Sequence, residues 1–125
     1  MSVNTMNTRI RATTPKGNLV IVKGGGDLAT GIIHRLWRSG FPVISTEVEN
    51  PTMVRRTVSF AECLYSGRHV VEGVTSAQAE GNTPETQLAS ARALLAEKIL
   101  PVIIDPEAKI VALAKPAALV DAIIA

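Results

Sequence analysis

Apolar runs and amphipathic stretches alternate along this chain, and they predict strands that alternate with helices. Residues 19–22 form an unbroken, mostly β-branched run, typical of a strand buried on both faces of a parallel sheet. From Ala29 to Trp37 the apolar residues recur at i, i+3, i+4, i+7 and i+8, which predicts an amphipathic helix that Gly40 ends. The chain therefore begins its regular part with a strand, a glycine-rich turn and a helix.

The remainder repeats the alternation. Further strands are predicted at residues 42–46, 69–74, 101–104 and 119–125, and further helices at 50–66, 83–98 and 106–115. The helix starts carry a capping residue followed by proline, as in Asn50-Pro51 and Thr83-Pro84. Strands joined by helices through short connections predict an α/β fold, specifically a Rossmann-like three-layer sandwich with a mostly parallel sheet of about five strands.

The two ends of the chain differ from this central pattern. Residues 1–17 are rich in Thr, Asn and Arg without a sustained period, so they predict a loose N-terminal arm, and residues 18–125 form the Rossmann-like domain. The apolar run at 119–125 has no polar tail, although a buried strand needs neighbours. We therefore expect the domain to be incomplete at its C-terminus. An exposed last strand would also pair with a second copy and form homo-oligomers.

Composition narrows the class of protein. A length of 125 residues, 46% hydrophobic and 19% charged, is typical of one folded domain. The apolar runs fall short of the roughly 18 residues that span a bilayer, and a single cysteine cannot form an internal disulfide, so we expect a cytoplasmic protein without membrane insertion. The net charge is only +2 and aromatics make up 3%, which argues against nucleic-acid binding.

The glycine-rich turn carries the clearest chemical pattern. Residues 24–29 read Gly-Gly-Gly-Asp-Leu-Ala, the G-x-G-x-x-A form of the dinucleotide-binding fingerprint, between a predicted strand and helix. Gly24 would permit the tight turn, and Gly26 would let a phosphate approach the backbone N–H groups at the helix start. Asp27 would either cap the helix or repel the phosphate. The alternative is a turn kept tight for packing alone.

Other charged residues could extend this site. Glu47 follows Gly26 by 21 residues and ends the second strand, where an acidic side chain reaches a ribose hydroxyl in NAD-type sites. Arg55 and Arg56 could bring positive charge to a phosphate. Each of these three side chains could instead be a solvated surface group. The predicted cofactor-binding residues are Gly24, Gly25, Gly26, Asp27, Leu28, Ala29, Thr30, Glu47, Arg55 and Arg56.

Elsewhere the sequence predicts structural roles more often than chemistry. Asp105 precedes a proline after a strand, as a helix cap does, and Cys63 lies near the apolar side of a predicted helix. Asp121 lies within an apolar strand, which makes it a candidate site residue. His34 and His69 have no partners at metal-ligand or triad spacing, so we predict no metal site and assign no catalytic residue.

Several stretches also match a known family. Residues 23–31, 34–36, 46–52 and 54–62, with shorter matches at 71–74, 101–106 and 120–125, resemble the YqeB-type accessory proteins of selenium-dependent molybdenum hydroxylase systems. The resemblance covers nearly everything from Asn18 onwards and implies a longer protein, about twice this length, of which the chain would be a truncated N-terminal part. It also implies a role in maturing or supporting a molybdenum hydroxylase, with the enzyme or its cofactor machinery as partner.

Three functions follow as hypotheses. The first is an accessory protein for molybdenum hydroxylase maturation that binds a nucleotide or the phosphate of a molybdopterin dinucleotide at the glycine-rich turn. The second is a small NAD(P)-binding oxidoreductase, with Gly24, Gly26, Ala29 and Glu47 as its binding residues. The third is an interaction module that pairs through its last strand without a small ligand. Whether the protein is an enzyme stays open at this point.

Overall fold

The computed structural model describes residues 9–12, 18–53 and 55–122. Its strands are β1 (Arg9–Ala12), β2 (Val20–Lys23), β3 (Val43–Glu47), β4 (Arg68–Val71), β5 (Val74–Gln78), β6 (Leu100–Ile104) and β7 (Ala118–Asp121). Its α-helices are α1 (Asp27–Arg38), α2 (Cys63–Ser66), α3 (Pro84–Ala96) and α4 (Ile110–Ala114). Two short 3-10 turns, Arg56–Val58 and Phe60–Glu62, precede α2.

The strands form one seven-stranded sheet in the order β1-β7-β2-β3-β6-β5-β4. The five inner strands, β7, β2, β3, β6 and β5, are parallel to one another, whereas the edge strands β1 and β4 pair antiparallel with β7 and β5. The expected α/β fold with a mostly parallel sheet is therefore confirmed. Four of the five predicted strands match the parallel strands β2, β3, β6 and β7, whereas the strand predicted at 69–74 falls on the antiparallel edge strand β4, and β1 and β5 were not anticipated.

Helices cover both faces of the sheet, and successive side chains of a strand are buried against opposite faces. Val20 and Val22 pack with α1 on one face, whereas Ile21 packs with α3 and α4 on the other. Such near-continuous apolar runs are what a parallel sheet covered on both sides requires. The arrangement leaves the carboxyl ends of the parallel strands, with the turns that follow them, as the place where a ligand can meet the backbone.

Helix α1 forms where the sequence predicts it. Its apolar stripe, including Ile32, Ile33 and Leu36, is buried against the sheet. At the C-terminus Gly40 has φ of +94°, its N–H donates to the carbonyl of Trp37 at 3.0 Å, and the next N–H donates to Leu36 at 3.2 Å. These are the paired hydrogen bonds of a Schellman cap, for which glycine is favoured.

The helix predicted at 50–66 is wrong. Asn50 has φ of +56° rather than serving as a helix cap, and among the described residues of this segment, 50–53 and 55–66, only the two 3-10 turns and the four-residue α2 are helical. The backbone there bonds to another part of the molecule: Ala61 N–H donates to the carbonyl of Gly25 at 2.9 Å, and Phe60 N–H donates to Thr30 Oγ1 at 2.9 Å. These long-range bonds replace those that a regular helix would make.

The strand predicted at 69–74 is two strands of a hairpin. Val71 pairs with Val74, so Glu72 and Gly73 form a two-residue turn between β4 and β5. Both turn residues have positive φ, +47° and +82°, which is the requirement of a type I′ turn. The sequence pattern missed the turn because the usual first residue is Asn, Asp or Gly, and a glutamate does not signal it.

The expectations for the chain ends also need correction. Four residues of the predicted loose arm, Arg9–Ala12, form β1, which pairs with β7. Strand β7 lies between β1 and β2, so it is not an exposed edge, and the interaction module that pairs through it is not supported. The other residues of the predicted arm and the end of the predicted last strand, 1–8, 13–17 and 123–125, lie outside the described residues.

Candidate functional site

The glycine-rich turn lies between the end of β2 and the start of α1, at the carboxyl end of a central strand. Gly24 has φ of +114°, and a Cβ there would lie 3.4 Å from both the Ala122 carbonyl oxygen and the Ala29 Cβ. A side chain at Gly24 would therefore meet both an unfavourable backbone conformation and its neighbours. Its lack of a side chain supports the close approach of β7 and α1.

Gly25 is enclosed by three parts of the molecule. Its N–H donates to Glu47 Oε2 at 2.8 Å, and its carbonyl accepts from Ala61 N–H at 2.9 Å. A Cβ on Gly25 would lie 3.0 Å from the Ala61 Cβ and 3.2 Å from Ser45 Oγ. Gly25, which the sequence predicts as a cofactor-binding residue, is thus the most closely packed of the three glycines and has structural contacts here.

Gly26 faces open space. It is the N-cap of α1 with an extended backbone (φ −74°, ψ −171°), and no side chain caps the helix. A Cβ on Gly26 would meet nothing within 4 Å. The first N–H groups of a helix have no intrahelical partner, and the aligned peptide dipoles of this twelve-residue helix favour negative charge there. This arrangement is suited to an anion such as a phosphate.

Asp27 neither caps the helix nor stands alone. Its Oδ2 accepts from Arg55 Nε at 3.3 Å, with side-chain exposures of 27% for Asp27 and 69% for Arg55. An ion pair this exposed contributes little to stability, typically about 0–1 kcal/mol. The pair brings Arg55 beside the start of α1, where its guanidinium can exchange partners at low cost.

The next residues of the predicted set have mainly structural contacts. Thr30 is buried, donates to the Gly25 carbonyl at 3.3 Å and accepts from Phe60 N–H. Ala29 is buried in the core, whereas Leu28 is 40% exposed. Thr30 thus links the glycine-rich turn to the 3-10 segment that replaces the predicted helix.

Glu47 ends β3 next to the glycine-rich turn, as the sequence spacing predicts. Its Oε2 accepts from Gly25 N–H at 2.8 Å, and its Oε1 accepts from Val48 N–H at 2.9 Å. The carboxylate therefore stabilises the turn directly. A carboxylate has about four acceptor positions, so these two bonds leave it able to accept from a ligand hydroxyl.

Arg56, in contrast, is engaged away from the turn. Its guanidinium makes a two-pronged ion pair with Glu62, at 2.6 and 3.2 Å, and lies 4.6 Å from the centre of the Tyr65 ring. The hydrogen bonds to the Glu62 carboxylate raise the pKa of Arg56. Of the two predicted arginines, only Arg55 is brought to the start of α1.

A cleft that the sequence reasoning missed begins beside this turn. It has a volume of about 210 Å3 and runs between one face of α1, the 3-10 segment and the β4–β5 turn. The residues lining it are Asp27, Thr30, Gly31, His34, Arg55, Val58, Val71 and Glu72. A glycine inside an otherwise regular amphipathic helix was the one sequence signal for it, because glycine destabilises helix interiors and needs a reason to be there.

The remaining candidates have structural roles or lie apart from the turn. Asp105 is buried, and its two carboxylate oxygens accept from Lys109 N–H at 2.9 Å and Ile110 N–H at 3.0 Å, so its role is structural. The helix predicted at 106–115 begins only at Ile110, with Lys109 as its N-cap, so Asp105 is not the N-cap residue that the sequence predicts. Burial raises the pKa of the Cys63 thiol to about 11, consistent with a packing role. Asp121 ends β7, with its Cα paired to those of Lys23 and Arg9.

The two histidines contact different parts of the molecule. His34 Nε2 lies 3.2 Å from the Glu72 carbonyl oxygen, and its ring stacks on Phe60 with centroids 6.5 Å apart. His69 Nε2 lies 2.7 Å from the Thr57 carbonyl oxygen. Among the described residues, no group of three or more His, Cys, Asp or Glu could hold a metal ion. In the part of the chain that the structure describes, no helix is long and apolar enough to cross a membrane.

Comparison with known proteins shows similarity to an uncharacterized protein. No protein-family model and no solved structure match the chain. The chain is 40% identical over 117 residues to the uncharacterized protein YqeB of Escherichia coli (strain K12), which confirms the resemblance seen in the sequence. The match covers 93% of this chain but 20% of YqeB, so the relative is several times longer than the chain rather than twice its length. The chain is therefore similar to YqeB and spans about a fifth of its length.

Proposed function

We propose that this chain binds the phosphate of a nucleotide or dinucleotide cofactor at the turn between β2 and α1. The observation that carries the proposal is the start of α1, where Gly26 leaves open space and no side chain caps the helix. The turn lies at the carboxyl end of a central parallel strand, the ligand position in Rossmann-like folds. Backbone N–H groups and the helix dipole would supply the anion's hydrogen bonds and its electrostatic stabilisation.

The biological role in the proposal comes from the family resemblance. The resemblance to YqeB-type proteins favours a cytoplasmic accessory protein that matures or supports a selenium-dependent molybdenum hydroxylase. YqeB itself is uncharacterized, so the similarity supports a shared role without naming one. In this role the phosphate would belong to a nucleotide or to a molybdopterin dinucleotide, and the partner would be the hydroxylase or its cofactor machinery.

Charge beside the turn makes the proposal testable. In the free protein Arg55 pairs with Asp27, whose carboxylate reduces the attraction of the helix start for an anion. A bound phosphate would recruit the guanidinium of Arg55 away from this exposed pair. We therefore expect Asp27→Asn to tighten phosphate binding by about two- to fivefold, the effect of one charge at a helix terminus, and Arg55→Ala to weaken it by at least as much.

The direct test is calorimetry on the purified chain with NAD, NADP, ATP, CTP and a molybdopterin dinucleotide. Gly26→Val should abolish binding, because its side chain would occupy the space over the turn. The matched control is Ala93→Val, which adds apolar bulk to an exposed position of α3 on the other face of the sheet. Binding that survives Gly26→Val would refute this placement of the phosphate.

An NAD(P)-binding oxidoreductase is the second candidate, and the position of Glu47 favours it. The carboxylate ends β3 beside the turn and retains acceptor positions for a ribose hydroxyl. Glu47→Gln should then lower the affinity for NAD more than that for inorganic pyrophosphate. Because Glu47 also holds the turn, the melting temperature of the variant must be measured, and equal losses for both ligands would point to a structural role alone.

A further inference from the structure

The cleft beside α1 is continuous with the turn, because it includes Asp27 and Arg55. On the α1 side its lining residues are Asp27, Thr30, Gly31 and His34, spaced i, i+3, i+4 and i+7 along one helix face. At 1.5 Å per residue this face runs about 10 Å from the helix start. A ligand whose phosphate lies at the start of α1 could therefore extend its remaining part along this face.

Gly31 keeps the floor of the cleft open. It lies inside α1, where glycine is one of the least favourable residues, yet a Cβ there would meet nothing within 4 Å. Close packing against another element therefore does not account for this glycine. Gly31 lines an open cleft of about 210 Å3 whose other lining residues outside α1 come from the 3-10 segment with the residue before it and from the β4–β5 hairpin.

The lining residues suit a planar ring. Val58 and Val71 supply apolar contact, with Val58 36% exposed toward solvent. The polar groups at the far end are the Glu72 carboxylate, 80% exposed, and His34, whose Nε2 lies 3.8 Å from Glu72 Oε2. A carboxylate only accepts hydrogen bonds, so the matching group on a ligand is a donor such as an amine.

We infer that this cleft binds a planar heteroaromatic ring that carries an exocyclic amine, with Glu72 accepting from the amine. The ring would belong to the same ligand whose phosphate lies at the turn, and in that respect the inference rests on the proposed function. The cleft, Gly31 and Glu72 themselves argue for the ring independently of any phosphate. Adenine, guanine and cytosine have the required chemistry, whereas hypoxanthine and uracil lack the amine.

The experiment separates the two halves of the ligand. Calorimetry is carried out with adenosine, which has the ring without phosphate, with pyrophosphate, which has phosphate without a ring, and with the pair ADP and IDP, which differ in the amine. We expect ADP to bind about tenfold more tightly than IDP, the effect of one charge-assisted hydrogen bond. Glu72→Gln should remove most of this preference.

Gly31→Leu fills the cleft and provides the decisive variant. It should abolish adenosine binding and reduce the ADP affinity to that of pyrophosphate, while the pyrophosphate affinity and the melting temperature are maintained. Gly31→Ala, a smaller change that favours the helix, covers the case in which the leucine variant does not fold. Ala93→Leu on α3 is the matched control and should change none of these affinities.

The outcomes distinguish this inference from the proposed function. If Gly31→Leu abolishes adenosine binding, the cleft is supported. If Gly26→Val at the same time leaves the pyrophosphate affinity unchanged, the placement of the phosphate is refuted. If adenosine does not bind, or if Gly31→Leu does not change the ADP affinity, the cleft is overturned. The phosphate site is still supported in that case, provided that Gly26→Val abolishes pyrophosphate binding. Equal affinities for ADP and IDP would overturn the assignment of the amine.

Discussion

Adjacent glycines in the β2–α1 turn have different physical roles. Gly24 adopts a backbone conformation that disfavours a side chain, Gly25 lacks room for one, and Gly26 has room but faces the open start of α1. The sequence motif predicts the tight turn at Gly24, and the approach of a phosphate to Gly26 stays a prediction. The role of Gly25 depends on Ser45 and Ala61, which come from distant parts of the chain and cannot be placed by local pattern.

The difference between Gly25 and Gly26 predicts opposite effects on stability. Gly25→Ala should destabilise the protein by about 1–3 kcal/mol, because the new methyl group meets Ala61 and Ser45, which are both held by hydrogen bonds. Gly26→Ser should stabilise it by a few tenths of a kcal/mol, on the order of 0.3 kcal/mol, by capping α1. Urea unfolding of the two variants provides the measurement. A Gly25→Ala variant as stable as the wild type would contradict the packing described for the turn.

The buried thiol of Cys63 predicts a pH effect on stability. Its pKa rises from 9.0 to about 11 on folding because burial disfavours the thiolate. The folded state therefore binds the thiol proton more tightly than the unfolded state does. The resulting contribution to the free energy of unfolding is complete below pH 9 and is lost as the pH rises toward 11. The loss is on the order of 2 kcal/mol.

Comparison with Cys63→Ala isolates this contribution from other groups that titrate in alkali. The free energy of unfolding of the wild type should fall more steeply than that of the variant between about pH 9 and 11. A thiol reagent at neutral pH should also label Cys63 only as fast as the protein opens, since the side chain is 1% exposed. If the free energies of unfolding of the two proteins fall in parallel with pH, burial does not raise the pKa of the Cys63 thiol.

At the scale of elements, two helices end in the same hydrogen-bond pattern, but only one of them has the glycine that this pattern favours. Helix α1 ends with Gly40 in its Schellman cap. Helix α3 makes the same pair of hydrogen bonds, from Lys98 N–H to Leu95 and from Ile99 N–H to Leu94, but with a lysine at φ of +60°. Glycine favours this conformation and lysine does not, so the two caps should respond oppositely to substitution.

Gly40→Ala and Lys98→Gly form a matched pair. The first should lower the free energy of unfolding by about 1 kcal/mol, since nothing within 4 Å of Gly40 adds a steric effect to the backbone cost. The second should raise it by up to about 1 kcal/mol. Thermal unfolding monitored by circular dichroism is sufficient. A loss of stability in Lys98→Gly would mean that the lysine side chain makes a contribution larger than the backbone strain.

The elements also show where local pattern is insufficient. Helix α1 was predicted from its apolar period and the glycine that ends it, and α3 from its apolar period with Thr83 and Pro84 at its start, where the Thr83–Thr86 capping box is present. The segment at 50–66 has an apolar period as well, but its backbone bonds to Gly25 and Thr30, which lie far away in sequence. Local propensity does not include bonds of this kind.

For the whole molecule, the sheet edges determine how it presents itself to other chains. Strand β1 covers β7, and the β4–β5 hairpin forms the opposite edge. An unpaired edge strand is a template for association with another chain. Strand β1 pairs with the apolar strand β7, which the sequence predicts to be an exposed edge, and so protects it from such association. This order could not be read from the sequence, since β1 pairs across more than a hundred positions, with Arg9 opposite Asp121.

Removal of β1 should therefore promote association. A chain that begins at residue 13 should have a higher apparent mass in sedimentation velocity than the full chain at equal concentration, because β7 becomes an edge. A chain that begins at Arg9 retains the strand and is the matched control. If both truncated chains sediment like the full chain, β1 is not what protects β7.

The sequence by itself determined the elements whose signals are local: strands β2, β3, β6 and β7, helices α1 and α3, and the glycine-rich turn before a helix. It also brought Glu47 next to that turn, because consecutive parallel strands end at the same edge of the sheet. Tertiary structure decided the pairing of Asp27 with Arg55, the diversion of Arg56 to Glu62, and the cleft over Gly31. These depend on the path of residues 55–62 across α1, which long-range hydrogen bonds stabilise and no periodicity encodes.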